Sequence, residues 1–274
     1  MMTSSAERSP QFSARLAGVL YLAIILLGIF GEMGVRATLL VSGDATATVN
    51  GIENSQSLWR TGIVSDLLMH ICDVPVAVLL YLLLKPVSKS IAMFATCFTL
   101  IQTAVLVVNK LNLLVPLFLL GDASYLKAFS TEQLHTLSYL AIKAHGYGFG
   151  IGLIFFGFTC LAWGYLICRS GYLPKTVGVL MVLAGIGYLT NSFAMLLAPA
   201  FANLISPGAL LPAFVGELSL SVWLIIKGVN IEQWKQRVPA AQPFVPEWAN
   251  GLNRSRGKKH SDPAAVGCRR VVET

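Results

Sequence analysis

Three ionisable residues, Asp66, His70 and Asp73, lie close together within the apolar stretch formed by residues 58–85. Their spacing of four and then three residues places all three side chains on one face of an α-helix. Carboxylates and imidazoles can hold a proton, bind a cation or pair with a buried base. A charged side chain at the centre of a membrane helix costs about 2.5–3.5 kcal/mol. We therefore expect these side chains to face the interior of a helical bundle and to meet partners there.

Polar residues in the other apolar stretches extend this pattern. Lys110 is the expected counter-charge for Asp66 or Glu217, and Glu32 and Arg36 are spaced to form an ion pair within one helix. The sequence predicts a polar pocket that opens to the extracytoplasmic side, with the Glu32–Arg36 pair at its entrance. The residues predicted to bind a ligand or protons in this pocket are Asp66, His70, Asp73, Asn109, Lys110, His145, Asn191 and Glu217.

Pro75 follows this cluster by two residues. Proline lacks the N–H group that would bond the carbonyl of Ile71, so we expect a break in the helix and a free carbonyl oxygen near the middle of the membrane. A cation or a water molecule can use such an oxygen.

Three interpretations of the polar residues remain open. The first is binding or transport of a small polar or ionic solute, and the second is a metal-dependent membrane hydrolase that uses Asp66, His70 and His145. No HExxH motif supports a metal site, and no cofactor motif is present, so we expect transport rather than catalysis. The third is a non-catalytic membrane component that acts through partners, in which the buried charges form a structural network.

Composition defines the protein class. Of the 274 residues, 55% are hydrophobic and only 12% are charged, with a mean hydropathy of +0.69. Soluble domains carry about 25% charged residues. The apolar residues form blocks of the length that crosses a bilayer as a helix. The class is therefore an all-α, polytopic membrane protein, and its partner is the lipid bilayer. Much of the net charge of +7 lies in the C-terminal tail, so it does not indicate nucleic-acid binding.

Six membrane-spanning helices are predicted between the turn-forming segments. They cover residues 14–35, 58–85, 91–120, 138–167, 176–198 and 209–228. The chain then divides into a disordered N-terminus (residues 1–13), a six-helix transmembrane domain (14–230) and a disordered basic tail (231–274). In the loop before the fourth span, Ser130 and Gln133 have the spacing of a helix N-cap.

Basic residues determine the expected orientation. An even number of spans places both termini on one side, and the side richer in lysine and arginine is cytoplasmic. That side carries Arg8, Arg15, Lys85, Lys89, Arg169, Lys175, Lys227, Lys235 and Arg237. We therefore expect a multi-pass protein of the cell membrane with both termini in the cytoplasm.

Four glycines alternate along the fourth span, at positions 146, 148, 150 and 152. They give two overlapping GxxxG pairs, which allow another helix to approach closely. Packing within the monomer is the expected use of these glycines. The oligomeric state is not defined by the sequence.

Several longer blocks carry a family resemblance. They are RLAGVLYL from Arg15, GEMGVRATLLVSGDATAT, GIVSDLLMHICDVPVAVLLYLLLKPV, KAHGYGFGIGLIFFGFTCLAWGYLICRSGYLPKTVGVL and GYLTNSFA. From Arg15 to about Pro199 the chain resembles the bacterial membrane proteins grouped as domain of unknown function 4386. The resemblance implies a six-helix membrane domain in a bacterial protein, and it implies no activity.

Overall fold

The computed structural model describes residues 9–238, apart from the side chains at positions 203, 206, 207 and 209. Every regular element in this part of the chain is helical, which confirms the all-α class. The α-helices are α1 (Pro10–Ile29), α2 (Ala37–Leu39), α3 (Ala45–Asn54), α4 (Gln56–Leu84), α5 (Lys89–Asn109), α6 (Leu111–Leu119), α7 (Thr131–Ser170), α8 (Lys175–Leu197), α9 (Pro199–Ile226) and α10 (Ile231–Arg237). A π-helical segment (Phe30–Arg36) joins α1 to α2, and a 3₁₀ helix (Ser124–Ala128) precedes α7.

Five helical segments are long and apolar enough to cross a membrane. They are Pro10–Leu39, Gln56–Leu84, Lys89–Leu119, Thr131–Ser170 and Lys175–Leu197. The predicted sixth span meets the same condition only if Leu210–Ile226 is taken together with α10, from which it is bent by 103°. Residues 9–238 therefore contain five or six candidate spans, and the sixth span and the orientation of the termini stay predictions.

The helix boundaries differ from the sequence prediction mainly at capped ends. Helix α7 begins at Thr131 rather than at residue 138. Ser130 is its N-cap, as predicted, and the side chain of Gln133 completes a capping box. Helix α10 is formed by residues 231–237, although the sequence predicts disorder from residue 231. The remainder of the two predicted disordered segments, residues 1–8 and 239–274, lies outside the described residues.

Three of the predicted spans differ from the prediction in where their helices are continuous or interrupted. Helix α4 continues through Pro75, so the predicted break there is wrong. Neighbouring helices support the backbone of membrane helices at such prolines. The third span, predicted as continuous, is divided at Lys110 into α5 and α6. The first span ends in the π-helical segment, which the sequence did not predict.

Helix α7 is the central element of the bundle. Its 40 residues correspond to about 60 Å. It packs against α8 on one side and against α5 and α6 on the other, while α9 packs against α8 and α1, and α1 packs against α4. Close packing within the chain is confirmed for three of the four α7 glycines. A Cβ atom at Gly148 would meet Asn109, one at Gly152 would meet Leu106, and one at Gly150 would meet Met195.

One end of the bundle, which we name the Lys227 end, is closed by hydrogen bonds between helices. It contains the start of α1 and the ends of α4 and α9. The Gln11 side chain donates to the carbonyl of Lys227 at 2.8 Å. The Tyr172 hydroxyl and the Trp234 indole both donate to the carbonyl of Leu83, at 2.6 Å and 3.2 Å. Burial raises the pKa of Tyr172, which keeps its hydroxyl protonated as a donor.

The larger apolar core lies in this half of the bundle. It includes Tyr21, Leu80, Trp163 and Leu224. A smaller core, around Trp59 and Leu113, occupies the opposite end, which we name the Glu32 end. The buried charged residues lie between these two apolar cores and beside the smaller one, so packing on both sides holds them away from lipid.

Candidate functional site

Asp66 is the centre of a buried ion-pair network near the Glu32 end, here called the edge network (Arg36, Asp66, Lys110 and His145). Its carboxylate accepts hydrogen bonds from Arg36 at 2.6 Å and 3.3 Å and from the Lys110 ammonium at 2.8 Å. The Lys110 nitrogen also lies 3.4 Å from Nε2 of His145. Asp66 is completely buried. The predicted partnership of Lys110 with Asp66 is therefore confirmed.

Irregular backbone positions both cations of this network. Arg36 is the last residue of the π-helical segment, and Lys110 occupies the junction of α5 and α6. Gly31 allows the close approach of the first span, since a Cβ atom there would collide with the Asp66 carboxylate. Arg36 also donates to Glu32 at 2.7 Å, so the predicted pair within one helix is confirmed.

Asn109 ties this network to α7. Its side-chain amide donates to the backbone carbonyl of His145 at 2.9 Å, and Asn112 donates to the side-chain oxygen of Asn109 at 3.0 Å. The absence of a Cβ atom at Gly148 leaves the space that the Asn109 side chain occupies. Two of the predicted site residues, Asn109 and His145, are thus joined directly.

A second group of polar residues lies deeper in the bundle, and we name it the midplane cluster (His70, Asp73, Thr103, Tyr188 and Glu217). Nδ1 of His70 is 2.9 Å from Asp73, and the Thr103 hydroxyl donates to the same carboxylate oxygen at 3.4 Å. The Tyr188 hydroxyl donates to the carboxyl group of Glu217. Asp73 and Glu217 are close enough to interact electrostatically.

The edge network and the midplane cluster lie at different depths along the helices. At about 1.5 Å per residue, Asp73 lies about 16 Å from the α4 terminus at the Lys227 end, and Glu217 lies about 14 Å from the corresponding terminus of α9. The hydrocarbon core of a bilayer is about 30 Å thick, so both carboxyl groups are near its middle. Asp66 is about 27 Å from the same end, close to the other boundary.

Three of the residues predicted for the pocket are closed off from solvent in this conformation. Asp66, His70 and Lys110 are at most 2% exposed, whereas Asp73 is partly buried. An opening to the extracytoplasmic side stays a prediction. Five buried side-chain polar atoms within residues 9–238 nevertheless have no hydrogen-bond partner: Nε2 of His70, Oε1 of Gln102 and the hydroxyls of Tyr21, Ser138 and Ser192. The interior therefore retains unused hydrogen-bonding capacity, which a buried polar molecule can satisfy.

The residue set proposed for a metal-dependent hydrolase is not assembled. Asp66 is occupied by two cations, His70 pairs with Asp73, and His145 contacts Lys110. Within residues 9–238, no group of three or more His, Cys, Asp or Glu side chains is arranged to hold a metal ion. A catalytic zinc ion needs about three protein ligands, which this arrangement does not provide.

The predicted stripe on α4 does face the interior, and most of the predicted residues join one of the two groups. Asn191 is half-buried on α8 and forms no hydrogen bond to the others in the part of the chain that the structure describes. Sequence reasoning missed the contact of Arg36 with Asp66 and the roles of Thr103 and Tyr188. Thr103 occurs seven residues before Lys110 on the same helix face, and this spacing could have indicated its role. No sequence pattern indicated the role of Tyr188, because aromatic residues are common in such helices.

Comparisons with known proteins agree with the resemblance seen in the sequence. The family model described as "Domain of unknown function (DUF4386)" matches residues 16–228. An uncharacterized protein of Archaeoglobus fulgidus is 32% identical over 174 residues, which cover 62% of this chain and 86% of the relative. No solved structure matches. A bacterial source stays a prediction.

Proposed function

The chain belongs to the domain of unknown function 4386 family, and we propose that it binds a small polar or ionic solute inside its helical bundle and moves it across the cell membrane. The proposal includes six spans with both termini in the cytoplasm. In this arrangement the Glu32 end faces the extracytoplasmic side, and the conformation described above is a closed one.

The unpaired atoms of His70 and Gln102 carry the proposal. An unsatisfied buried polar group costs about 1–3 kcal/mol, and its cost is greater still within a bilayer, where water is absent. Both atoms belong to side chains that are at most 5% exposed. A purely structural network would gain stability by pairing or replacing them. A bound solute with donor and acceptor groups explains why they remain.

The position of the edge network supports the same function. The network lies between the midplane cluster and the Glu32 end, and its contacts join three spans at Arg36, Asp66 and Lys110. A solute that enters from the Glu32 end must pass the edge network. The residues of this network can exchange their contacts with one another for contacts with the solute. At the Lys227 end the interhelical hydrogen bonds and the larger apolar core close the opposite exit.

The first experiment identifies the solute. The protein is purified in mild detergent, and the co-purifying small molecules are identified by mass spectrometry and then tested by isothermal titration calorimetry. His70→Phe removes the unpaired nitrogen and is expected to weaken binding at least tenfold. His135→Phe is the matched control, because His135 is half-buried near the start of α7, outside both polar groups, and its Nδ1 lies 3.3 Å from the Thr46 hydroxyl. This variant should bind the solute as the wild type does.

The second experiment measures transport of that solute in liposomes by counterflow. Uptake that requires the protein and is lost in His70→Phe but retained in His135→Phe supports the proposal. Absence of both binding and uptake, together with a reproducibly co-purifying protein, would instead favour the component that acts through partners. Stoichiometric zinc lost on His145→Ala would favour the hydrolase.

A further inference from the structure

We propose that the midplane cluster is a proton-binding site, with Glu217 carrying the proton at neutral pH, and that this proton is the ion coupled to solute movement. The coupling rests on the proposed function. The proton-binding site itself does not, because it follows from the surroundings of Glu217 alone.

The surroundings of Glu217 contain no base that neutralises it. Glu217 is buried and accepts a hydrogen bond from Tyr188 of α8, and it lies within electrostatic range of Tyr21 of α1, Asp73 of α4 and Cys160 of α7. They are two hydroxyls, a thiol and another carboxyl group, with no lysine or arginine among these described neighbours. An ionised carboxylate buried without a counter-charge costs several kcal/mol, whereas a protonated one does not. Glu217 therefore holds its proton.

Asp73 lies beside this site with His70. Nδ1 of His70 is 2.9 Å from the Asp73 carboxylate, and the other ring nitrogen, Nε2, has no hydrogen-bond partner among the described residues. The cluster therefore contains two buried carboxyl groups, Asp73 and Glu217, and neither forms an ion pair with a lysine or arginine in residues 9–238.

A metal cation fits this cluster less well than a proton. Hard cations take several oxygen ligands with free lone pairs. The Asp73 carboxylate lies 2.9 Å from Nδ1 of His70 and accepts a hydrogen bond from the Thr103 hydroxyl, and Glu217 accepts one from the Tyr188 hydroxyl. Both carboxyl groups are thus surrounded by hydrogen donors rather than by further oxygen acceptors, which is the arrangement that suits proton exchange.

Infrared spectroscopy tests the proton-binding site without any solute. Purified protein at neutral pH should show the carbonyl band of a buried protonated carboxylic acid, shifted by deuterium exchange. Glu217→Gln, a nearly isosteric change, should remove one equivalent of that band. Glu32→Gln is the matched control, since the Glu32 side chain is 66% exposed, and it should leave the band intact. Size-exclusion chromatography verifies that each variant is folded.

Two infrared results would overturn the site. One is a spectrum without a protonated band at neutral pH, or with a band that folded Glu217→Gln retains. The other is a band that disappears when sodium chloride replaces choline chloride at constant pH, because that result identifies a cation site.

The coupling is tested separately in liposomes. An imposed proton gradient should drive accumulation of the solute by the wild type, and Glu217→Gln should abolish accumulation while leaving solute binding within about threefold. Accumulation driven by a sodium gradient would overturn the coupling. If no solute is transported at all, the proposed function fails, and the infrared result still decides the proton-binding site.

Discussion

The edge network and the midplane cluster place similar side chains in very different electrical surroundings. Asp66 is ion-paired with both Arg36 and Lys110, whereas in residues 9–238 Asp73 is hydrogen-bonded to a histidine and a hydroxyl, and Glu217 to the Tyr188 hydroxyl. Buried charges that are paired hold helices together, and buried charges that are unpaired change their protonation state instead. We therefore expect the edge network to be mainly structural and propose proton chemistry for the midplane cluster.

The largest expected effect follows from removing the anion of the edge network. Asp66→Asn leaves Arg36 and Lys110 buried without a full counter-charge, so we expect a loss of about 3–5 kcal/mol in the free energy of unfolding. Thermal and denaturant unfolding of the purified protein in detergent measure the change. A loss below 1 kcal/mol would contradict the structural role of the network.

The second expected effect is a coupling between the two partners. Lys110→Met removes one cation, and the double variant Asp66→Asn/Lys110→Met should be more stable than the sum of the single changes implies, with a coupling of about 0.5–3 kcal/mol. The same unfolding measurements on all four proteins give this value. Additive effects would show that the 2.8 Å contact contributes little.

The third effect is smaller and separates the two groups most clearly. Glu217→Gln replaces a protonated acid by a neutral amide of similar size, so the free energy of unfolding should change by less than about 1 kcal/mol. Unfolding at neutral pH in the same detergent provides the measurement. A loss as large as that of Asp66→Asn would mean that Glu217 is ionised and structurally paired.

The smallest effect is expected at Glu32, the exposed partner of Arg36. Glu32→Gln removes an ion pair to Arg36 whose glutamate is largely exposed, and such pairs contribute about 0–1 kcal/mol. The same variant should retain solute binding in calorimetry. Loss of binding at unchanged stability would move Glu32 into the solute site.

The sequence was most informative where periodicity or local spacing determines position. The inward stripe of Asp66, His70 and Asp73 follows from helical phase, and the α7 cap follows from the three-residue spacing of Ser130 and Gln133. Composition alone established the membrane class. These features depend on residues that are near in sequence, so no knowledge of the helix arrangement was needed.

Contacts between distant helices were less predictable. The approach of Arg36 to Asp66 depends on a π-helical segment, which no residue type in the sequence predicts. The contact of Tyr188 with Glu217 depends on which faces of α8 and α9 pack together. The opening of the pocket stays a prediction, because spacing indicates which residues share a face and not how tightly the facing helices close. The continuation of α4 through Pro75 is likewise decided by its neighbours.

The π-helical segment that ends at Arg36 is also the place where the first span can lose a residue without redirecting the residues that follow. Each hydrogen bond from i to i+5 closes a ring that is one residue longer than in an α-helix, so a π-helical segment is equivalent to an α-helix with one inserted residue. Deleting Met33, which is 67% exposed, would convert the segment to ordinary α-helix and leave Arg36 directed at Asp66. Deleting a residue from the regular part of α1 would instead rotate everything beyond it by about 100°. Natural insertions and deletions among relatives should therefore concentrate in this segment of the first span.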